Sequence, residues 1–353
     1  MRTLHLSNEV FTSIPCRLIA AASKLSCMKP AFAKLLAASL FVFTTVSLSA
    51  QDWAKAALEK SSRHREYVPI KHGDRTVQAF VVYPEVSNKA PVIVLIHEIF
   101  GLSDWAKLMA DELAAKGYIV VAPDLLTGAG PNGGGTDAFA GQDQVTKAVS
   151  GLSADQVTAD LDAAADYGKG LSAANQKLYV AGFCWGGGKT FAYATHRHDI
   201  SGAFVFYGPP PPAADMKMIT APVYGFYAGN DARITSTVPT ATEAMKAAGK
   251  KYEPVVYDGA GHGFMRAGQA PDANDANKKA YEQGLQRMLS VLSSGGSAAA
   301  PGLQKPAPVA DMHSSPAMAM GEMPLAGKPQ TAAVMECHDD SHSPATEMAA
   351  LMK

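Results

Sequence analysis

Over 353 residues the chain sets 31 Lys and Arg against 32 Asp and Glu, a formal charge of −1, so no basic face is forced and nucleic acid is a poor partner. With 47% hydrophobic and 18% charged residues it has the material for a buried core, which excludes general disorder. Four cysteines, Cys16, Cys27, Cys184 and Cys337, are too few and too scattered for a disulfide scaffold or a four-cysteine zinc site.

In chain order, residues 35–50 (LLAASLFVFTTVSLSA) come first, without a charge. Sixteen residues are short for a bilayer span, which needs about 20. After Lys29 and Lys34 and before the small residues Leu48-Ser49-Ala50, they match a signal-peptide apolar region. Residues 1–50 are therefore expected to be a leader whose true start lies near Met28, and the product to be exported, periplasmic or secreted. The alternative is a membrane anchor kept because cleavage fails; after cleavage no membrane contact is expected.

Next, short β-branched runs alternate with helical spacing. Strands are expected at 77–83, 92–97, 118–122, 178–181, 203–207, 223–228 and 252–257. Helices are expected near 104–116, 154–168, 186–197, 237–248 and 272–292. The alternation predicts an α/β fold, a mostly parallel central sheet with helices on both faces, whose function collects at the C-terminal ends of the strands. From 294 to 353 there is no Phe, Tyr or Trp, so 51–293 is read as one folded domain and 294–353 as a disordered Pro/Ala/Met-rich tail. That tail holds His313, Cys337, His338, His342 and seven of the 15 methionines, a soft-ligand composition suited to copper or silver ions. No ligand spacing recurs in it, and no metal site is assigned.

The chemistry is legible at strand ends. Gly182-Phe183-Cys184-Trp185-Gly186 is the G-x-C-x-G pattern of a nucleophile elbow with cysteine in place of serine; its setting at a helix start favours a thiolate. A base and an orienting carboxylate should follow after later strands. His262, between Gly261 and Gly263, and Asp231, after Gly229-Asn230, stand at those places, giving a triad of Cys184, Asp231 and His262. The loop after the first core strand, His97-Glu98-Ile99-Phe100-Gly101, supplies one oxyanion-hole N–H at Ile99, the residue after the nucleophile supplies the other at Trp185, and Glu98 is a carboxylate at the mouth. His64, His72, His196 and His198 are read as surface residues.

Together H-E-I-F-G (97–101), G-F-C-W-G-G (182–187), Phe206-Tyr207-Gly208, Asp231 and G-H-G-F-x-R (261–266) resemble the dienelactone hydrolases, a branch of the α/β-hydrolase fold, over nearly all of 65–293. The resemblance implies hydrolysis of an enol lactone, carboxymethylenebutenolide, through an acyl-thiol intermediate, with no cofactor and in a monomer. It also implies that Glu98 pairs with the resting Cys184 and helps to generate the thiolate, and that Arg266 grips the substrate carboxylate as a two-pronged donor. Members acting on dienelactone carry a second arginine just after the Pro-Asp-Leu turn. Here Pro123-Asp124-Leu125 leads into Leu126 and a cation-free, glycine-rich stretch to Gly135, read as a flexible lid or lip of the pocket. That departure, and export of a step usually cytoplasmic, widen the expected substrates to small carboxylic esters or lactones in general. Two other readings stay open: an exported metal-binding or stress protein acting through the Met/His-rich tail, and a catalytically silent α/β-hydrolase.

Overall fold

The computed structural model describes residues 52–295. The expected leader over 1–50, the start near Met28, the export read from them and nearly all of the tail, with its histidines, methionines and Cys337, lie outside those residues.

After a first helix α1 (Asp52–Glu59), the chain runs β1 (Arg65–His72), β2 (Arg75–Val82), β3 (Ala90–Ile96), α2 (Asp104–Ala114), β4 (Ile119–Pro123), α3 (Gln142–Ser150), α4 (Ala154–Gly170), β5 (Ala174–Phe183) and α5 (Trp185–His196). It continues through β6 (Ile200–Phe206), β7 (Val223–Ala228), two helices α6 (Ala232–Thr235) and α7 (Val238–Ala247), β8 (Tyr252–Tyr257), a single turn α8 (Phe264–Ala267) and α9 (Asp275–Ser293). The strands form one sheet in the order β1-β2-β4-β3-β5-β6-β7-β8. β1, β2 and β4 run antiparallel to their neighbours in turn, and from β4 through β3 to β8 every pairing is parallel.

Strand residues alternate faces, so each central strand feeds two cores. Ile93 and Leu95 of β3 pack with Trp105 and Met109 of α2 and Met288 of α9 on one side. Val92, Val94 and Ile96 pack with Val157 and Leu161 of α4 on the other. That two-sided burial is why these strands read as unbroken apolar runs. Trp105 is fully buried, edge-on to Phe183 at 5.1 Å between ring centroids; truncation of such a residue to Ala costs about 3–5 kcal/mol. The longer helices start on side-chain caps: Ser103, Ser153 and Asn274 accept from the N–H of Ala106, Gln156 and Asn277.

β1, α1 and α3 leave little trace in the sequence pattern because they bury little. β1 is an edge strand in which only Ile70 is buried, and α1 and α3 each bury two side chains. The order β3-β5-β6-β7-β8 places the loops following five parallel strands side by side along one edge of the sheet, where ligands bind in open α/β sheets.

Candidate active site

At the end of β5 the backbone turns through Cys184 at φ +55°, a conformation that L residues rarely adopt, before α5 begins at Trp185. Two glycines make the turn possible. A Cβ on Gly182 would strike the Gly186 carbonyl and the Thr190 side chain, and one on Gly186 would strike the carbonyls of Ile96 and His97. The Cys184 N–H donates to the Phe206 carbonyl of β6 at 3.0 Å, which leaves the half-exposed thiol standing at the helix N-terminus. The residue following Phe206, Tyr207, also has positive φ, +39°. Two strained residues therefore stand at the ends of adjacent strands.

The loops after β7 and β8 are laced together. The Gly229 N–H donates to the Tyr257 carbonyl at 2.9 Å, the Asn230 N–H to that of Ala260 at 2.9 Å, and the Asn230 amide to that of Gly259 at 3.1 Å. The Gly261 N–H donates to Asn277 Oδ1 of α9 at 2.8 Å. This lacing sets buried Asp231 against His262, with Oδ2 2.5 Å from Nδ1. Asp231 takes only Nδ1, and the Cys184 sulfur bears on the same ring electrostatically. Burial alone would lower the pKa of His262, but the Cys184 sulfur and the Asp231 carboxylate outweigh it and push it up to about 9.

Glu98 departs from the pairing that the resemblance implies. It is almost fully buried, and its Oε2 accepts from Arg266 Nε at 2.8 Å; in this structure Arg266, not Cys184, is its partner. Burial raises the Glu98 pKa while Arg266, His262 and the Tyr207 hydroxyl oppose the rise. The reason for the exchange is electrostatic, since a buried carboxylate is held better by a guanidinium than by a thiol. Arg266, expected as a free clamp for a substrate carboxylate, thus spends one edge on Glu98 and lays its guanidinium carbon 5.0 Å from the centre of the Phe100 ring.

The backbone N–H groups of Ile99 and Trp185 flank the elbow, and among the described residues neither donates to a backbone carbonyl. Behind them Ile99 and Trp185 pack with Leu126, Phe139, Val145 and Val149 as an apolar wall. The glycine-rich stretch, expected as a flexible lid or lip of the pocket, forms a hydrogen-bonded loop. The Gly128 and Gly130 N–H groups both donate to the Gly134 carbonyl, and Asp124 accepts from the N–H groups of Leu126 and Thr136 and from the Thr136 hydroxyl.

His72 is not a surface residue as expected: Nε2 lies 2.6 Å from Oδ1 of fully buried Asp160, which also binds Arg75. His64, His196 and His198 are exposed. Sequence reasoning gave no role to two residues that the structure brings in. Tyr207 is fully buried and sits edge-on to His262 at 5.1 Å between centroids; burial, with the charges of Glu98 and Cys184, raises its pKa and keeps it protonated. His97 is the other. The signal for both was their position at a strand end. Among the described residues no group of three or more His, Cys, Asp and Glu is placed to hold a metal ion, and no helix is long and apolar enough to cross a membrane.

The family model described as the dienelactone hydrolase family matches residues 77–295. This chain belongs to the dienelactone hydrolase family. A protein of Salmonella typhi, named by inference as a carboxymethylenebutenolidase, is 35% identical over 228 residues, which cover 60% of this chain and 80% of that protein. A protein of Methylorubrum extorquens, named in the same way, is 35% identical over 212 residues, covering 56% and 71%. The crystal structure of a Klebsiella pneumoniae protein, named by inference as a dienelactone hydrolase, superposes with a TM-score of 0.58 at 28% identity, covering 66% of this chain and 99% of that one. The fold is that of the α/β-hydrolases, and the family is one of hydrolases.

Proposed function

We propose that this dienelactone hydrolase family member cleaves small carboxylic esters or lactones through a Cys184–His262–Asp231 triad and an acyl-thiol intermediate. The observation that supports this most is the relay itself: a strained cysteine at a helix N-terminus, electrostatically coupled to a histidine whose Nδ1 rests on a buried aspartate. The Cys184 sulfur attacks the carbonyl carbon, and the electron pair moves to the carbonyl oxygen, held by the N–H groups of Ile99 and Trp185. As the tetrahedral centre collapses, the bond to the alkoxy or enol oxygen breaks and His262 Nε2 gives that oxygen its proton. Water then attacks the thioester, His262 takes a proton from it, and the sulfur leaves as thiolate while the acid departs. Asp231 orients the ring throughout and stabilises it whenever it is an imidazolium.

On the substrate side, the relatives' names suggest a lactone bearing a carboxylate. Here the position after Pro123-Asp124-Leu125 is a buried leucine and Arg266 is engaged by Glu98, so the proposal extends to neutral esters and lactones. The uncharged stretch at 35–50 supports export, placing the reaction in the periplasm or outside the cell. The test is a panel of aryl esters, aliphatic lactones and enol lactones turned over by the full chain and by Cys184→Ala. Turnover of at least one class, lost on substitution, is expected. Equal turnover by the two proteins would remove Cys184 from the reaction.

A further inference from the structure

We propose that His97 is a positioning residue that orients both oxyanion donors, through its Nδ1–H on the Glu98 carbonyl and its ring stacked on Trp185. The inference rests on the assignment of Ile99 and Trp185 as those donors.

His97 is fully buried at the end of β3, with Nδ1 2.7 Å from the Glu98 carbonyl oxygen. A carbonyl only accepts, so Nδ1 carries the proton. Burial lowers the His97 pKa, which leaves the ring neutral, with a single N–H to give. Nε2 has no hydrogen-bond partner among the described residues. An unsatisfied buried nitrogen calls for an explanation, and the bond made by the other nitrogen supplies one.

What it does follows from peptide geometry. The Glu98 carbonyl and the Ile99 N–H belong to one planar trans unit and point in opposite directions. A donor fixed on that carbonyl therefore fixes the direction of the N–H. The Gly101 N–H, at 3.1 Å, is a second donor on the same oxygen, so the carbonyl is gripped from two sides. The second link is the ring: His97 lies 5.5 Å from the Trp185 ring, centroid to centroid, at an interplanar angle of 11°. Trp185 is the first residue of α5, and its own N–H is the other candidate donor. One buried imidazole thus bonds the peptide that carries one donor N–H and stacks on the side chain of the residue that carries the other. Such positioning counts because loss of one oxyanion donor costs about 10²–10³ in kcat.

Three substitutions separate the two links. His97→Asn keeps an N–H near the Nδ1 position and gives up the stack; His97→Phe keeps an aromatic ring and gives up the donor; His97→Leu gives up both with less bulk, in case the phenylalanine protein does not fold. Each is assayed in the full chain for kcat and KM on an activated ester and for the rate at which iodoacetamide alkylates Cys184. Alkylation forms no oxyanion, so it reports thiol activation alone. Expected are a fall in kcat of about 10²-fold for His97→Phe or His97→Leu, kcat for His97→Asn within about tenfold of the parent, and little change in KM or alkylation rate. Equal losses for the asparagine and donor-less variants, alkylation falling in step with kcat, or parental kcat without the donor would each overturn the proposal. Cys184→Ala in parallel keeps the cases apart: if it too retains turnover the triad reading fails, and if it alone is inactive only the role of His97 fails.

Discussion

The two walls of the pocket differ in kind. On one, Asp231 holds His262, whose ring is coupled electrostatically to Cys184, the arrangement that the proposed acyl transfer needs. On the other, Glu98 and Arg266, the two groups suited to reading a substrate's charge, are spent on each other. Under the proposed mechanism the bond-breaking groups are assembled before substrate arrives, whereas carboxylate recognition is not: a charged substrate would compete with an internal ion pair, and a neutral one would not.

Loss of the preassembled wall should have the larger effect. Asp231→Asn keeps the shape of the side chain but reverses its hydrogen bond to His262 Nδ1, and kcat on an activated ester is expected to fall by about 10³–10⁴-fold with KM nearly unchanged. Parental kcat would make Asp231 an ordinary loop aspartate.

The charged wall comes second. Arg266→Met strands a buried carboxylate, which costs on the order of 3–5 kcal/mol when one partner of a buried pair is removed, and a clear drop in thermal midpoint is expected. Glu98→Gln, by contrast, frees the guanidinium. The ratio of kcat/KM for a carboxylate-bearing ester over a matched neutral ester should then rise by roughly tenfold, in line with a gained charge-assisted contact. An unchanged ratio would mean that Arg266 does not face the substrate.

The smallest effect is on pH. The His262 pKa is raised in the folded state to about 9, above its ordinary value of about 6.5. Its contribution to stability is then fully present below pH 6.5, shrinks as pH rises, and is lost above 9. The difference in thermal midpoint between the parent and His262→Gln should narrow over that window, and a difference that widened with pH would mean that the native ring is neutral.

Much of the fold was legible because the central strands are covered on both faces. The runs at 223–228 and 252–257 coincide with β7 and β8, and the helix starts at Asp104 and Ala154 follow serine caps that sequence displays. β1 left no such trace, being an edge strand whose side chains mostly face solvent. At the site, Gly182-x-Cys184-x-Gly186 was readable because the backbone leaves no room for a Cβ at either glycine. The partner of Glu98 was not, since whether a buried carboxylate meets Cys184 or Arg266 depends on the approach of two loops 168 residues apart. Neither Tyr207 nor His97 carries a motif that announces its role; each acts through burial beside groups brought from other strands.

The central claim is a covalent one, and mass spectrometry after rapid acid quench of the full chain with p-nitrophenyl acetate tests it most directly. The expected result is one acetyl group on the peptide containing Cys184, formed within the first turnover and absent from Cys184→Ala. Steady turnover with that peptide unmodified, or with the acetyl group on another residue and turnover unaffected by Cys184→Ala, would contradict it.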